Sequence, residues 1–263
     1  MNPPEQRARL RDPLRPAGAA RESILDGLNE AQRRAVTHPG GPLLVLAGAG
    51  SGMTRVITHR IAHVIRAEGV SPSRIVAVTF TNKAAAEMRE RVLSLMGFDG
   101  VLGWIGTFHA LCLRILRRDG ARIGLAPGFN VYDTDDQLAL VKRLLREEPR
   151  DALTGSPRAY LSRISRAKNG LESPADLEQR AYAPEIQFLA RLYGRYQESL
   201  RRANAVDFDD LLVRALELFT EHPDVAEGYA SRCEHLLVDE YQDTNRPQYL
   251  LVRRLASHHG NVC

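Results

Sequence analysis

Short apolar runs alternate with amphipathic stretches along most of this chain, and that alternation leaves few folds open to it. Leu43-Leu44-Val45-Leu46-Ala47, Arg74-Ile75-Val76-Ala77-Val78-Thr79-Phe80 and the segments 102–106, 129–132 and 235–239 each have the length and apolar content of a buried strand. Helical patterns separate them, one running to about Ala67 and another from Lys83 to about Leu95. Strands alternating with helices predict an α/β fold around a mostly parallel sheet.

The alternation lapses between about residues 134 and 206, which read as helices only, broken at Pro149, Gly155-Ser156-Pro157, Gly170 and Pro174. The expected organisation is an α/β domain of residues 23–133 and 207–263 with an all-helical accessory domain, 134–206, inserted into it. Residues 158–202 carry nine Arg or Lys against five Asp or Glu, a surplus of four that equals the net charge of +4. Taken alone, such a surplus reads as a solvated helix face. Residues 1–22 hold Pro3, Pro4, Pro13 and Pro16 among five arginines and read as a flexible basic leader. At the other end, Gly260-Asn261-Val262-Cys263 reads as the opening of a further strand, so the sheet is expected to continue past Cys263.

Composition narrows the class of protein. With 44% hydrophobic and 26% charged residues the chain matches a soluble globular protein. Cys112, Cys233 and Cys263 lie far apart with no C-x-x-C pair, which argues against a zinc site or a disulfide scaffold and suits a reducing compartment. Charged residues interrupt every apolar run before it reaches the length of a membrane span, and the Pro- and Arg-rich start has no signal-peptide core. The expected location is cytoplasmic, and the pI near 9.1 permits a polyanionic partner.

The chemistry is concentrated in two segments. Ala47-Gly48-Ala49-Gly50-Ser51-Gly52-Met53-Thr54 lies between an apolar run and a helix. Apart from Ala47 in place of the first glycine and Met53 in place of the lysine, it has the pattern of a phosphate-binding loop. Glycines let successive N–H groups face one anion-sized hollow, the helix dipole adds positive potential, and Thr54 is placed to offer its hydroxyl to Mg²⁺. Alone, the segment also reads as an ordinary glycine-rich turn. The second segment, Leu236-Leu237-Val238-Asp239-Glu240, is an apolar strand ending in two carboxylates. Nucleotide hydrolysis needs one carboxylate to hold Mg²⁺ and another to orient or deprotonate water. Asp239 fits the first role and Glu240 the second.

Five segments in order, Leu28-Asn29-Glu30-Ala31-Gln32, the glycine loop, Thr79-Phe80-Thr81-Asn82-Lys83-Ala84-Ala85-Ala86-Glu87-Met88, Gly106-Thr107-Phe108-His109 and Asp239-Glu240-Tyr241-Gln242-Asp243-Thr244-Asn245, resemble consecutive motifs of the UvrD-type, superfamily-one DNA helicases. The resemblance covers nearly everything after the leader. It implies a RecA-like P-loop NTPase fold with an inserted helical accessory domain, and ATP with Mg²⁺ as cofactors. It also implies 3′-to-5′ action on single-stranded DNA and DNA junctions, beside repair or replication proteins. On this resemblance Gln32 reads the adenine, Arg55 packs against the base and the loop from Ala47 to Thr54 holds the phosphates. Gln242 joins Asp239 and Glu240 in catalysis and its coupling to DNA. Phe80, Thr81, Asn82, Thr107 and His109 line the single-stranded DNA track, where aromatic faces stack on bases. The segment Val206-Asp207-Phe208-Asp209-Asp210-Leu211-Leu212 resembles a further family segment after the accessory domain.

Met53 departs from that pattern at the position with the most charge to lose. A methionine matches lysine in length but has neither charge nor donor. Little or no ATP hydrolysis is expected, and with further motifs expected beyond Cys263, no unwinding by these residues alone. The alternative reading is a binding module that occupies single-stranded DNA or a partner protein without turnover.

Overall fold

The computed structural model describes residues 24–48, 50–97, 102–148, 155–180 and 182–263. The leader and Ala49 therefore lie outside the described residues. The strands are β1 (Ile75–Thr79), β2 (Trp104–Thr107), β3 (Asn130–Tyr132), β4 (Ala205–Asp207) and β5 (His235–Val238). The helices are α1 (Glu30–Val36), α2 (Met53–Arg66), α3 (Asn82–Met96), α4 (Phe108–Asp119), α5 (Thr134–Arg146), α6 (Pro157–Asn169), α7 (Pro174–Gln179), α8 (Pro184–Arg202), α9 (Phe208–Glu221), α10 (Pro223–Ala230) and α11 (Arg246–Leu255).

A three-stranded parallel sheet, ordered β2-β1-β5, forms the centre, with Ala77 opposite both Ile105 and Leu237. Side chains alternate between its faces, as the pleat requires. Ile75, Ala77, Ile105 and Leu237 pack with Ile57 and Ile61 of α2 and Met88 and Val92 of α3. On the other face Val78, Leu236 and Val238 meet Leu111 and Ile115 of α4, Leu211 and Ala215 of α9 and Leu251 of α11. Both faces are dry, which is why the strands read as unbroken apolar runs. The expectation of an α/β fold with a parallel sheet holds.

The helices α5 to α8 pack around a separate core that includes Leu140, Val141, Tyr160, Ile164, Leu192 and Tyr196. The stretch expected to be helical throughout closes on a strand: β4 pairs in parallel with β3, Val131 opposite Val206, at the foot of this helical unit. Three residues are too few to show a period, so β4 has no signature of its own.

The run Leu43 to Ala47, expected to be a buried strand, is not one. Leu44 is 67% exposed and Leu46 85% exposed. The cause lies in its neighbour. Val262 bridges Leu236 of β5 in parallel, and the Leu43 amide donates to the Val262 carbonyl at 2.7 Å. The run thus flanks residues 261–263 on the side away from β5, and no described backbone pairs with Leu44 to Ala47. A strand is a property of two segments, and this one has a single contact.

Candidate nucleotide and DNA site

The C-terminal ends of the parallel strands gather the chemistry. After β5 the chain delivers Asp239, then turns at Glu240, which holds a left-handed backbone (φ 52°, ψ 46°) that side-chain-bearing residues rarely adopt. The turn redirects Glu240 outward, where its carboxylate accepts a bond from the Gln242 amide. Across from it, Gly50 (φ 79°) and Gly52 (φ 84°) take positive φ, which glycine alone adopts freely, and Gly52 caps α2 with no side-chain bond to the first turn. Among the described residues, no side-chain cap therefore claims the first amides of the helix.

A cavity of about 520 Å³ joins the two halves, lined by Met53 from the helix start, Asp239, Glu240 and Gln242 after β5, and apolar residues such as Val56 and Val238. Asp239 is only 7% exposed. Burial, then the neighbouring Glu240 charge, pushes its carboxyl above the usual range, and no cationic side chain among the described residues offsets this. A buried carboxylate beside a second one, facing an uncapped helix start, is an arrangement that a phosphate-bound divalent cation would satisfy.

Asp239 also gives a pH signature. A carboxyl raised in the fold destabilises the ionised state, a cost present above its folded value and absent below the unfolded value of about 3.9. Asp239→Asn is therefore expected to raise Tm at pH 7.5, with the gain shrinking to nothing towards pH 4. Thermal melts across that range check it; a gain independent of pH would contradict the assignment.

Other sequence-predicted residues fall nearby. Gln32 on α1 donates to the Ser51 carbonyl of the loop at 3.0 Å, and its amide oxygen accepts from the Asn29 amide at 3.1 Å. Arg55 is exposed on α2, with its guanidinium close over Gly27. Thr54 is half-buried in the first turn of α2. Gly48, like Ala47, is exposed in the loop.

The proposed DNA residues occupy the neighbouring strand ends. Thr79 and Thr107 are partners across β1 and β2, so Phe80, Thr81 and Asn82 lie beside Phe108 and His109. Thr81 and Thr107 cap α3 and α4 by accepting from Ala84 and Ala110, which leaves both hydroxyl protons free to donate. Phe80 meets buried Phe108 edge-on at 5.8 Å, and His109 meets half-exposed Phe208 at 5.9 Å. Burial outweighs the nearby Asp209 charge and lowers the His109 pKa, so its ring is neutral at pH 7. It can stack or share one proton, but brings no charge.

Comparison with known proteins agrees with this geometry: the UvrD/REP helicase N-terminal domain family matches residues 28–263. The chain belongs to that family. It is 46% identical over 241 residues to the ATP-dependent DNA helicase PcrA of Staphylococcus aureus (strain Mu50 / ATCC 700699), covering 92% of this chain and 33% of that protein. It is 47% identical over 240 residues to the PcrA of Bacillus subtilis (strain 168), covering 91% and 32%. The chain thus spans about a third of the length of the curated relatives it matches. Among the described residues no helix is long and apolar enough to cross a membrane.

Two contacts in this UvrD/REP domain were not apparent from sequence. Buried Arg60 donates to the carbonyls of Ala35, Val36 and His38 at 3.1, 3.2 and 3.0 Å, closing the end of α1, the helix that carries Gln32. Its one sequence signal is an arginine on the apolar face of α2, between Ile57 and Val64. The other is Lys168, 1% exposed and bonded to Asp207 at 2.6 Å and Asp210 at 2.7 Å. The surplus of positive charge in the helical segment is thus not simply a solvated face. Lys168 is buried, Arg195 pairs with Glu147 and Glu148, Arg180 with Glu172, and Arg201 and Arg202 with Glu198.

Proposed function

We propose that this chain is the ATP-binding portion of the first motor domain of an ATP-dependent 3′-to-5′ DNA helicase. In this reading residues 23–133 and 207–263 form a RecA-like unit and residues 134–206 its accessory domain. One observation carries the proposal: the cavity that sets Met53, at the uncapped start of α2, against Asp239, Glu240 and Gln242 nearly two hundred residues later in the chain. ATP with Mg²⁺ supplies the phosphoryl group to be transferred to water. The α2 amides would hold its phosphates, Thr54 and Asp239 would hold the metal, and Glu240 would orient the attacking water. Gln32 reads the base, Arg55 flanks it, and Gln242 ties Glu240 to the state of the loop that follows. Phe80, Thr81, Asn82, Thr107 and His109 line a path for single-stranded DNA across the ends of β1 and β2.

Met53 favours a second reading, in which the site binds but does not turn over, because the wall facing the phosphates offers a thioether where a cation would follow charge into the transition state. Titration with a fluorescent ATP analogue, with and without Mg²⁺, separates the possibilities. Weak Mg²⁺-dependent binding, lost in Asp239→Ala, with no DNA-stimulated phosphate release, is expected. Absence of Mg²⁺-dependent binding would overturn the nucleotide site, and DNA-stimulated release would overturn the role given to Met53.

A further inference from the structure

The carboxylate loop does not end in solvent. Five residues after Glu240, Asn245 caps α11, its side-chain oxygen accepting from the Gln248 amide at 3.0 Å. Its Nδ2 points away from the helix and donates to Asn169 Oδ1 at 2.5 Å, at the last turn of α6 in the helical unit. Asn169 in turn donates through Nδ2 to the Ser165 carbonyl at 2.8 Å and to Asp209 Oδ1 at 2.9 Å. Those two acceptors fix which way its amide faces, since a flip would set oxygen against oxygen at both. The one remaining direction is the bond to Asn245. Beside it, Arg246 reaches the Gly170 carbonyl at 3.3 Å.

Asp209 is also the carboxylate whose charge acts on His109, and it follows Phe208, whose ring meets that histidine. Asp209 and Asn169 are placed by a rigid support. Lys168, next to Asn169, is buried between Asp207 and Asp210, and the Tyr196 hydroxyl donates to Asp207 at 2.9 Å. A line of contacts therefore runs from the strand ends at β2 to the loop after β5: His109 against Phe208, then the adjacent Asp209, Asn169 and Asn245.

We propose that Asn169 and Asp209 are positioning residues that couple the DNA path to the nucleotide carboxylates by way of Asn245. This rests on the functional reading above. The helical unit then supplies the strut through which occupancy at one site sets the loop geometry at the other. Contiguity is not itself coupling, so the test measures the linkage directly.

The decisive variant is Asn245→Asp. Aspartate caps a helix as well as asparagine, so α11 and the melting temperature are retained, but an acceptor then faces Asn169 Oδ1. On the 263-residue chain, affinity for Mg²⁺ with a fluorescent ADP is measured with and without saturating oligothymidylate. The oligonucleotide is expected to change that affinity by about fivefold or more. In Asn245→Asp and Asn169→Ala the change should fall to within about twofold of none, with each ligand alone bound nearly as before and the double variant no worse than either single one. An undiminished linkage in Asn245→Asp, at unchanged melting temperature, would overturn the proposal, as would a parent chain that binds both ligands without linkage. A parent that binds neither ligand refutes the functional reading itself. Hydrogen exchange on the ligand-free chain gives an independent readout: amides of residues 240–245 should exchange about tenfold faster in both variants. Unchanged exchange there would rule out the strut.

Discussion

Met53→Lys is expected to tighten binding of ATP with Mg²⁺ by about 10- to 150-fold, the range that a charge-assisted hydrogen bond of about 1.5–3 kcal/mol corresponds to. Met53 is the first residue of α2 and lines the cavity with Asp239 and Glu240. A lysine stem fills the same volume against Val56 and Ile57, while its ammonium extends towards the carboxylates and the phosphates between them. The cation does more as charge develops. In a longer chain of the proposed helicase, carrying the second motor domain that reading calls for, the same substitution is expected to raise DNA-stimulated turnover by about 10²–10³. Parallel titrations of the two chains with a fluorescent ATP analogue check the first part; equal affinities would show that position 53 does not face the phosphates.

The second large effect concerns stability. Lys168→Met is expected to cost about 3–5 kcal/mol, because it leaves Asp207 and Asp210 buried at 1% and 2% exposure without their cation. For a chain of this size that lowers Tm by roughly 6–20 °C. The loss depends on pH in a stated direction. Burial already raises the Asp210 carboxyl and Lys168 opposes that rise, so removing the lysine raises it further. Protonation then relieves the unpaired charge, and the deficit should be largest at pH 8 and shrink as pH falls towards 5. Asp210→Asn in the Lys168→Met background should recover part of it. Thermal denaturation at both pH values decides the matter, and a shift under 2 °C at pH 8 would mean that the cluster is hydrated rather than buried.

What could be read from the sequence follows from how local each feature is. The helices α2 and α3 and the strands β1 and β5 carry their own periodicity, and each starts and stops within a few residues of where its pattern does. The glycine loop and the carboxylate pair were legible for the same reason, since each motif is one short segment. Leu43 to Ala47 failed because a strand needs a partner and this run has one backbone contact, to Val262. β4 failed because its three residues are defined by β3, more than seventy positions earlier. Lys168 and Asn169 fall in a segment whose charge reads as surface. Only the packing of α6 against the start of α9 shows that one is buried and the other bridges two parts of the fold.

The bond from Gln32 to the Ser51 carbonyl changes what base selectivity can amount to. The amide is already engaged, one side on the loop and the other on the Asn29 backbone. Each end keeps one more hydrogen-bonding position, so a base in the proposed site can be read by Gln32 without breaking its bond to the loop. The Ser51 carbonyl then keeps its partner, and the loop stays tied to α1 through the side chain that reads the base. In the proposed site one side chain would thus link the base to the phosphate loop, and a triphosphate lacking its base would bind without that link.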